Sequence, residues 1–200
     1  MIKIKLCGLR RECDIIYANE LMPEYIGFVF AAKSKRYVLP KQAKELRKLL
    51  NPQIIPVGVF VNEKPEVIAD LVSKNIIKVG QLHGNETEEY IQTLRKYVEC
   101  TIIQAFLIRS KADIEIANDS SADYVLLDSG GGCGKTFDWS LLQEIKRPYF
   151  LAGGLTPQNV SKAIKQLKPY AVDASSSLET DGYKDKEKMK AFVNAVRKRG

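Results

Sequence analysis

Short runs of apolar, β-branched residues recur along the chain, and each is followed by a longer polar stretch whose apolar positions fall at helical spacing. That alternation marks repeated strand–helix units, and eight of them can be read. Strands are expected at Ile2–Cys7, Tyr25–Phe30, Ile54–Phe60, Ile77–Leu82, Thr101–Phe106, Tyr124–Asp128, Tyr149–Ala152 and Ala171–Ala174. Helices are expected at Glu12–Glu20, Pro40–Leu50, Pro65–Ser73, Glu86–Tyr97, Ala112–Ala117, Trp139–Ile145, Pro157–Leu167 and Lys186–Lys198. Pro40, Pro65 and Pro157 stand where a first-turn proline is tolerated, and Thr156 is placed to cap the last of these. Ala112–Ala117 has the weakest pattern and reads as a short helix or a loop.

Eight such units either close into a barrel or lie open as a doubly wound sheet. No Gly-x-Gly-x-x-Gly turn follows the first strand, which favours an α/β fold of one domain, a single (β/α)8 TIM barrel spanning residues 1–200. In either architecture the site lies at the C-terminal ends of the strands, so polar residues just past apolar runs become the candidates.

Composition narrows the class. Hydrophobic residues at 45% and charged residues at 28% are ordinary globular usage, which excludes a disordered chain. The apolar runs fall far short of the roughly 20 residues a membrane span needs. The first residues alternate as MIKIKLCG without a secretory pattern, so a cytoplasmic location is expected. Cys7, Cys13, Cys100 and Cys133 lack metal-ligand spacing and are expected as free thiols. The net charge of +7 raises nucleic acid as a partner, but the basic residues are spread over helix-like stretches such as Lys41 to Lys48, and a solvated surface is the better reading.

The strand-end rule selects a short group of side chains. Cys7 shares a strand face with Lys5 and Lys3 and precedes Gly8; it is either a buried small hydrophobe or a thiol aimed into the barrel mouth, where Lys5 would favour the thiolate. Asp128 closes Tyr124-Val-Leu-Leu, and a carboxylate there either acts on a ligand or caps the next loop. Arg36, within Lys33 to Tyr37, is a carboxylate clamp or one of a basic surface group. His83, the only histidine, is a substrate contact or a structural hydrogen-bonding group, and a lone histidine makes a poor metal site. The paired glycines Gly153 and Gly154 precede a helix start with exposed N–H groups, and the strand-eight segment Asp173 to Ser177, with Asp173, Ser175 and Ser176, adds hydroxyls and amides. Together these two loops match the phosphate site usual for barrels at strands seven and eight.

The segment Ser129 to Thr136 holds a Gly-Lys-Thr tripeptide, but Ser129 stands where the P-loop pattern requires glycine. It is read instead as a glycine-rich loop able to fold over a substrate, with Lys135 as an anion contact.

In combination these pieces resemble the phosphoribosylanthranilate isomerase family. The resemblance runs nearly end to end and is carried by Lys5 to Gly8, Gly27 to Phe30 with Ser34 to Tyr37, Val57 to Phe60, Gln81 to Gly84, Leu127-Asp128, Gly134 to Trp139, Leu151 to Leu155 and Val172 to Ser176. It implies a (β/α)8 barrel catalysing a cofactor-free Amadori rearrangement of a small phosphorylated substrate, with no nucleic-acid or membrane partner, as a monomer or homodimer. It implies Cys7 as general base, Asp128 as general acid and Arg36 as the contact for the anthranilate carboxylate. The phosphate cradle would fall on Gly153, Gly154, Ser175 and Ser176.

Three places depart from the family pattern: a short loop at Ser129 to Gly134 with Cys133 where Thr or Ser is usual, Lys35 in place of a frequent proline, and Ser177-Leu178 where Gly-Val is common. Other readings are a histidine-pathway sugar isomerase, for which two aspartates are expected while strand one here offers Cys7, an indole-forming lyase, and a noncatalytic binder of a phosphorylated metabolite.

Overall fold

The computed structural model describes residues 2–128 and 139–198. Eight parallel strands close into a barrel in the order β1 to β8, with β8 hydrogen-bonded back to β1. They are β1 Lys3–Cys7, β2 Tyr25–Val29, β3 Ile55–Phe60, β4 Val79–Leu82, β5 Thr101–Leu107, β6 Tyr124–Asp128, β7 Tyr149–Leu151 and β8 Ala171–Ala174. All eight expected strands are present, with ends shifted by no more than two residues.

Near-continuous apolar runs form these strands because both faces are covered. The outward side chains of Ile4, Leu6, Ile26, Phe28, Val125 and Leu127 pack with the helices in one large cluster. The inward side chains of Tyr25, Val57, Val79, Ile103, Leu126, Phe150 and Ala171 fill the barrel itself. Phe150 is fully buried and meets Tyr25 and Tyr124 edge-on at 5.4 and 5.8 Å. Below it the Tyr170 hydroxyl accepts a 2.6 Å hydrogen bond from Lys3 Nζ and lies 3.2 Å from the hydroxyls of Tyr25 and Tyr124, which satisfies the polar atoms at the barrel's N-terminal end.

The helices are α1 Glu12–Leu21, α2 Pro40–Leu49, α3 Pro65–Ser73, α4 Glu88–Tyr97, α5 Lys111–Asp119, α6 Val160–Leu167 and α7 Lys186–Arg197. The doubtful fifth segment is a helix, and its start explains why: Asp113 accepts from the N–H groups of Arg109 and Ser110 in a reciprocal cap. The segment expected as a helix from Trp139 is a 3₁₀ turn, Trp139–Glu144.

Two expectations at strand seven are corrected. The helix there does not begin at Pro157 under a Thr156 cap; it begins at Val160. Residues 156–159 form a turn in which the Thr156 N–H donates to Asn159 Oδ1 at 2.8 Å and the Asn159 amide donates to the Gly154 carbonyl at 2.9 Å. Asn159 therefore organises the loop by bonding backwards, a local competition that short polar side chains often win.

One element was not anticipated. After a 3₁₀ turn, Ser176–Leu178, the chain forms a two-stranded antiparallel hairpin, β9 Glu179–Thr180 and β10 Tyr183–Lys184. Asp181 and Gly182 at its tip have φ of 51° and 78°, the left-handed pair a tight two-residue hairpin turn requires.

The barrel filling yields a stability prediction. Phe150→Ala should cost about 3–5 kcal/mol through lost burial and the cavity left behind. Chemical denaturation would show this as a lower midpoint at an unchanged slope.

Candidate active site

The C-terminal ends of the strands surround a cavity of about 730 Å³. Cys7, Arg36, His83, Asp128, Gly153, Gly154, Asp173, Ser175 and Ser176, the candidates selected from sequence, all border it. The expected contact Lys135 and the glycine-rich segment around Cys133 lie outside the described residues.

Register builds the floor. β1 and β8 pair with Lys5 opposite Asp173, and the Lys5 ammonium sits 3.1 Å from both carboxylate oxygens of a nearly buried Asp173. Burial works against the Lys5 cation, but the charges of Asp173 and Cys7 outweigh it and hold the Lys5 proton above the ordinary lysine range. Cys7 stands two residues on, inward on the same strand face and 7% exposed. Burial pushes its thiol above the ordinary cysteine range, Lys5 opposes that most strongly, and Lys184 opposes it as well.

The thiol has room because of glycine. A Cβ on Gly27, its register partner on β2, would come within 2.7 Å of Cys7 Sγ. Gly8, at φ of 84°, turns the chain out of β1 where a Cβ would meet Arg36 Cδ at 2.4 Å. Cys13 and Cys100 are the other free cysteines among the described residues.

Arg36 reaches the cavity across Gly8 and is held by the hairpin. Its Nε and Nη2 donate to the two oxygens of Glu179 at 2.6 and 2.7 Å, a bidentate pairing. Lys184 donates to Glu179 Oε1 at 2.5 Å and to the Ser175 carbonyl at 3.0 Å. Burial raises the Glu179 carboxyl, and its bonds to Arg36 and Lys184 more than reverse this, leaving it below the usual carboxylate range.

On the far wall, His83 Nδ1 lies 2.9 Å from the Gln81 amide nitrogen, and His83 Nε2 is 3.8 Å from Asp128 Oδ2. The histidine thus makes the structural contact and also faces the cavity carboxylate. Asp128 is the more exposed of the two reactive candidates, its side chain 26% accessible.

At strands seven and eight, Gly153 and Gly154 have φ of 85° and 65°, a left-handed pair that turns the chain under the cavity. The Ser175 hydroxyl is engaged, donating to the Cys7 carbonyl at 3.0 Å. Ser177 Oγ is buried at the cavity and makes no hydrogen bond within the described protein, so it is an additional polar group for a ligand. Sequence reasoning passed over Glu179 and Lys184. The Asp181-Gly182 turn was the signal available for the hairpin that carries them.

A model of the family described as "PRAI: N-(5'phosphoribosyl)anthranilate (PRA) isomerase" matches residues 4–195. The chain belongs to the phosphoribosylanthranilate isomerase family. A family member from Caldanaerobacter subterraneus subsp. tengcongensis is 47% identical over 98% of both chains, and one from Clostridium acetobutylicum is 44% identical over 99% of both. The crystal structure of phosphoribosylanthranilate isomerase from Thermotoga maritima superposes with a TM-score of 0.91 at 37% identity, covering 99% of this chain and all of that one. A second solved phosphoribosylanthranilate isomerase, bound to reduced 1-(o-carboxyphenylamino)-1-deoxyribulose 5-phosphate, gives a TM-score of 0.89 at 36% identity with the same coverage.

For this member of the phosphoribosylanthranilate isomerase family, Lys5 and Cys7 are coupled, which predicts a titration. The pH midpoint for alkylation of Cys7 by iodoacetamide, followed by peptide mass mapping, should lie above that of an ordinary cysteine. Lys5→Met should move it higher still, because the nearest cation favouring the thiolate is gone. A midpoint unchanged or lowered by Lys5→Met would contradict the coupling.

Proposed function

We propose that Cys7 and Asp128 divide the proton transfers by which this chain, as a phosphoribosylanthranilate isomerase of tryptophan biosynthesis, converts N-(5'-phosphoribosyl)anthranilate to 1-(2-carboxyphenylamino)-1-deoxyribulose 5-phosphate. The observation that carries the assignment is that both side chains border one cavity, one buried over an ammonium and the other at the mouth, with Arg36 between the loops.

Asp128 protonates the furanose ring oxygen, the C1–O bond breaks, and the ring opens to a protonated Schiff base. Cys7, as thiolate, then takes the proton from C2, and the resulting enolamine becomes the ketone as C1 takes up a proton and the C2 hydroxyl gives one up. The oxidation at C2 is balanced by reduction at C1 within the same molecule, so the chemistry calls for no cofactor. Forming the thiolate in a buried place is costly, and Lys5 reduces that cost from below.

Arg36 receives the anthranilate carboxylate. The phosphate is held by backbone at Gly153 and Gly154 and by the Ser175 to Ser177 turn, where Ser176 N–H and Ser177 Oγ are the better donors because Ser175 Oγ is engaged. Asp173 borders the cavity, but both its oxygens face Lys5 and a carboxylate repels phosphate; its part is to keep Lys5 in place. His83 acts on the Asp128 side of the substrate.

The whole chain serves as one catalytic domain, as a monomer or homodimer in the cytoplasm. Two observations bear on this: no helix among the described residues is long and apolar enough to cross a membrane, and the Thermotoga maritima relative is described as a dimer.

Substrate fluorescence is lost on turnover and provides the assay. Cys7→Ala and Asp128→Asn should each lower kcat by about 10²–10⁴-fold, the usual worth of a positioned acid or base. Near-normal turnover in both variants would sink the assignment.

A further inference from the structure

Arg36 enters the site already occupied. Two of its nitrogens are bound to Glu179, so guanidinium and carboxylate together carry no net charge. A neutral pair is a weak receptor for a second carboxylate, because Glu179 repels the incoming anion from almost the distance at which Arg36 attracts it. The hairpin supplies what is missing. Lys184, its side chain 1% exposed, donates to the same Glu179 oxygen that Arg36 Nε uses.

We propose that Lys184 is a specificity-determining positioning residue: through Glu179 it keeps the Arg36 clamp net positive, so that the clamp accepts the carboxylate of the substrate's aromatic part. Lys184 does not touch the substrate. It gives a cation–anion–cation row in which Glu179 is shared, Arg36 keeps its orientation through Nε and Nη2, and its remaining N–H groups are left for the ligand.

The row is held from outside the barrel strands. Arg11 donates to the Lys184 carbonyl at 2.6 Å, and Arg10 donates to the Gly182 carbonyl at 2.9 Å and to the Lys35 carbonyl, next to Arg36, at 2.8 Å. Both guanidinium groups lie within 5 Å of the Tyr183 ring centroid, at 4.6 and 4.8 Å. The hairpin is thus fastened to the loop that follows Cys7 at the end of β1 and to the loop after β2 that carries Arg36.

A purely structural Lys184 would act otherwise. It also bonds the Ser175 carbonyl, and a lysine that only staples the hairpin to the turn after β8 would, when removed, harm every phosphoribosyl substrate alike. The inference rests on the reading that Arg36 receives the anthranilate carboxylate, and the test separates the two.

Kinetics would be measured on phosphoribosylanthranilate and on the phosphoribosyl adduct of aniline, which lacks the carboxylate, with products followed by chromatography. Arg36→Met comes first: a larger loss on the anthranilate substrate than on the aniline adduct supports the clamp, and equal losses refute the reading of Arg36 itself. Given that result, Lys184→Met should raise KM for the anthranilate substrate by about 10- to 100-fold, the usual worth of a charge-assisted contact, while any fall in kcat from the lost support of the Cys7 thiolate should be the same on both substrates. KM for the aniline adduct should stay nearly constant.

The double variant Lys184→Met, Glu179→Gln restores a single positive charge on Arg36 and leaves no buried unpaired carboxylate, so it also serves if the single variant fails to fold. It should bring KM for the anthranilate substrate back to within a few fold of the unaltered protein. Equal rises in KM on both substrates in Lys184→Met, or no recovery of KM in the double variant, would overturn the inference.

Discussion

Closing this barrel brings two charges into its interior. Where β8 meets β1, Lys5 and Asp173 lie side by side in register, the lysine fully buried and the aspartate nearly so. Removing such ions from water costs several kcal/mol each by the usual reckoning, and only close, well-aligned contact repays it. Both lysine–oxygen distances are 3.1 Å. The pair also fixes how the last strand joins the first. A slip of one residue would turn Lys5 out among the helices and leave Asp173 alone in the barrel, so neighbouring registers carry a heavy penalty. A buried ion pair is weak evidence for net stability, but at the seam of a closed sheet it is a strong constraint on alignment.

The rest of the site is arranged around that seam. Cys7 is one pleat above Lys5, in a layer with Val29 and Val59 rather than in water. Its surroundings pull in opposite directions: burial favours the neutral thiol, while Lys5 and, more weakly, Lys184 favour the thiolate. Gly27 and Gly8 remove the side chains that would crowd this arrangement. At the opposite end of the barrel the same device recurs without chemistry, as Lys3 and three tyrosines satisfy one another beneath Phe150. The C-terminal end keeps its charges facing a cavity, and the N-terminal end closes them into a network, the division of labour expected between the working and supporting faces of such barrels.

Much of this was legible from sequence because strand position does most of the placing. Apolar runs buried on both faces announce the strands, and the polar residue just past each run must lie at the mouth; Cys7, His83, Asp128 and the glycine pair followed from that rule alone. Long-range pairings did not. Nothing local in Val172-Asp173-Ala174 says that its carboxylate will face Lys5, 168 residues away, instead of a ligand. The helix at strand seven was placed too early because proline and threonine matched a start signal, whereas Asn159 takes the Thr156 N–H for a turn. Strands of two residues are too short to show any periodicity, so the hairpin carrying Glu179 and Lys184 was invisible except through its Asp-Gly tip.

The two side chains proposed as base and acid, Cys7 and Asp128, differ in exposure in a way that suits those tasks. A general acid must recover its proton in every cycle, and a carboxyl at the mouth, 26% accessible and facing His83, exchanges readily with solvent. A carbon acid is a more demanding partner: the base that deprotonates C2 works best where water does not compete, and a thiolate is less heavily hydrated than a carboxylate. A thiolate in that mostly apolar layer would be reactive but expensive, and a lysine beneath it whose proton is held above the ordinary range limits the expense without occupying the cavity. Lys5 is in turn kept charged by Asp173. In the proposed mechanism, the buried pair at the barrel seam is therefore what lets a cysteine rather than a second carboxylate serve as the base.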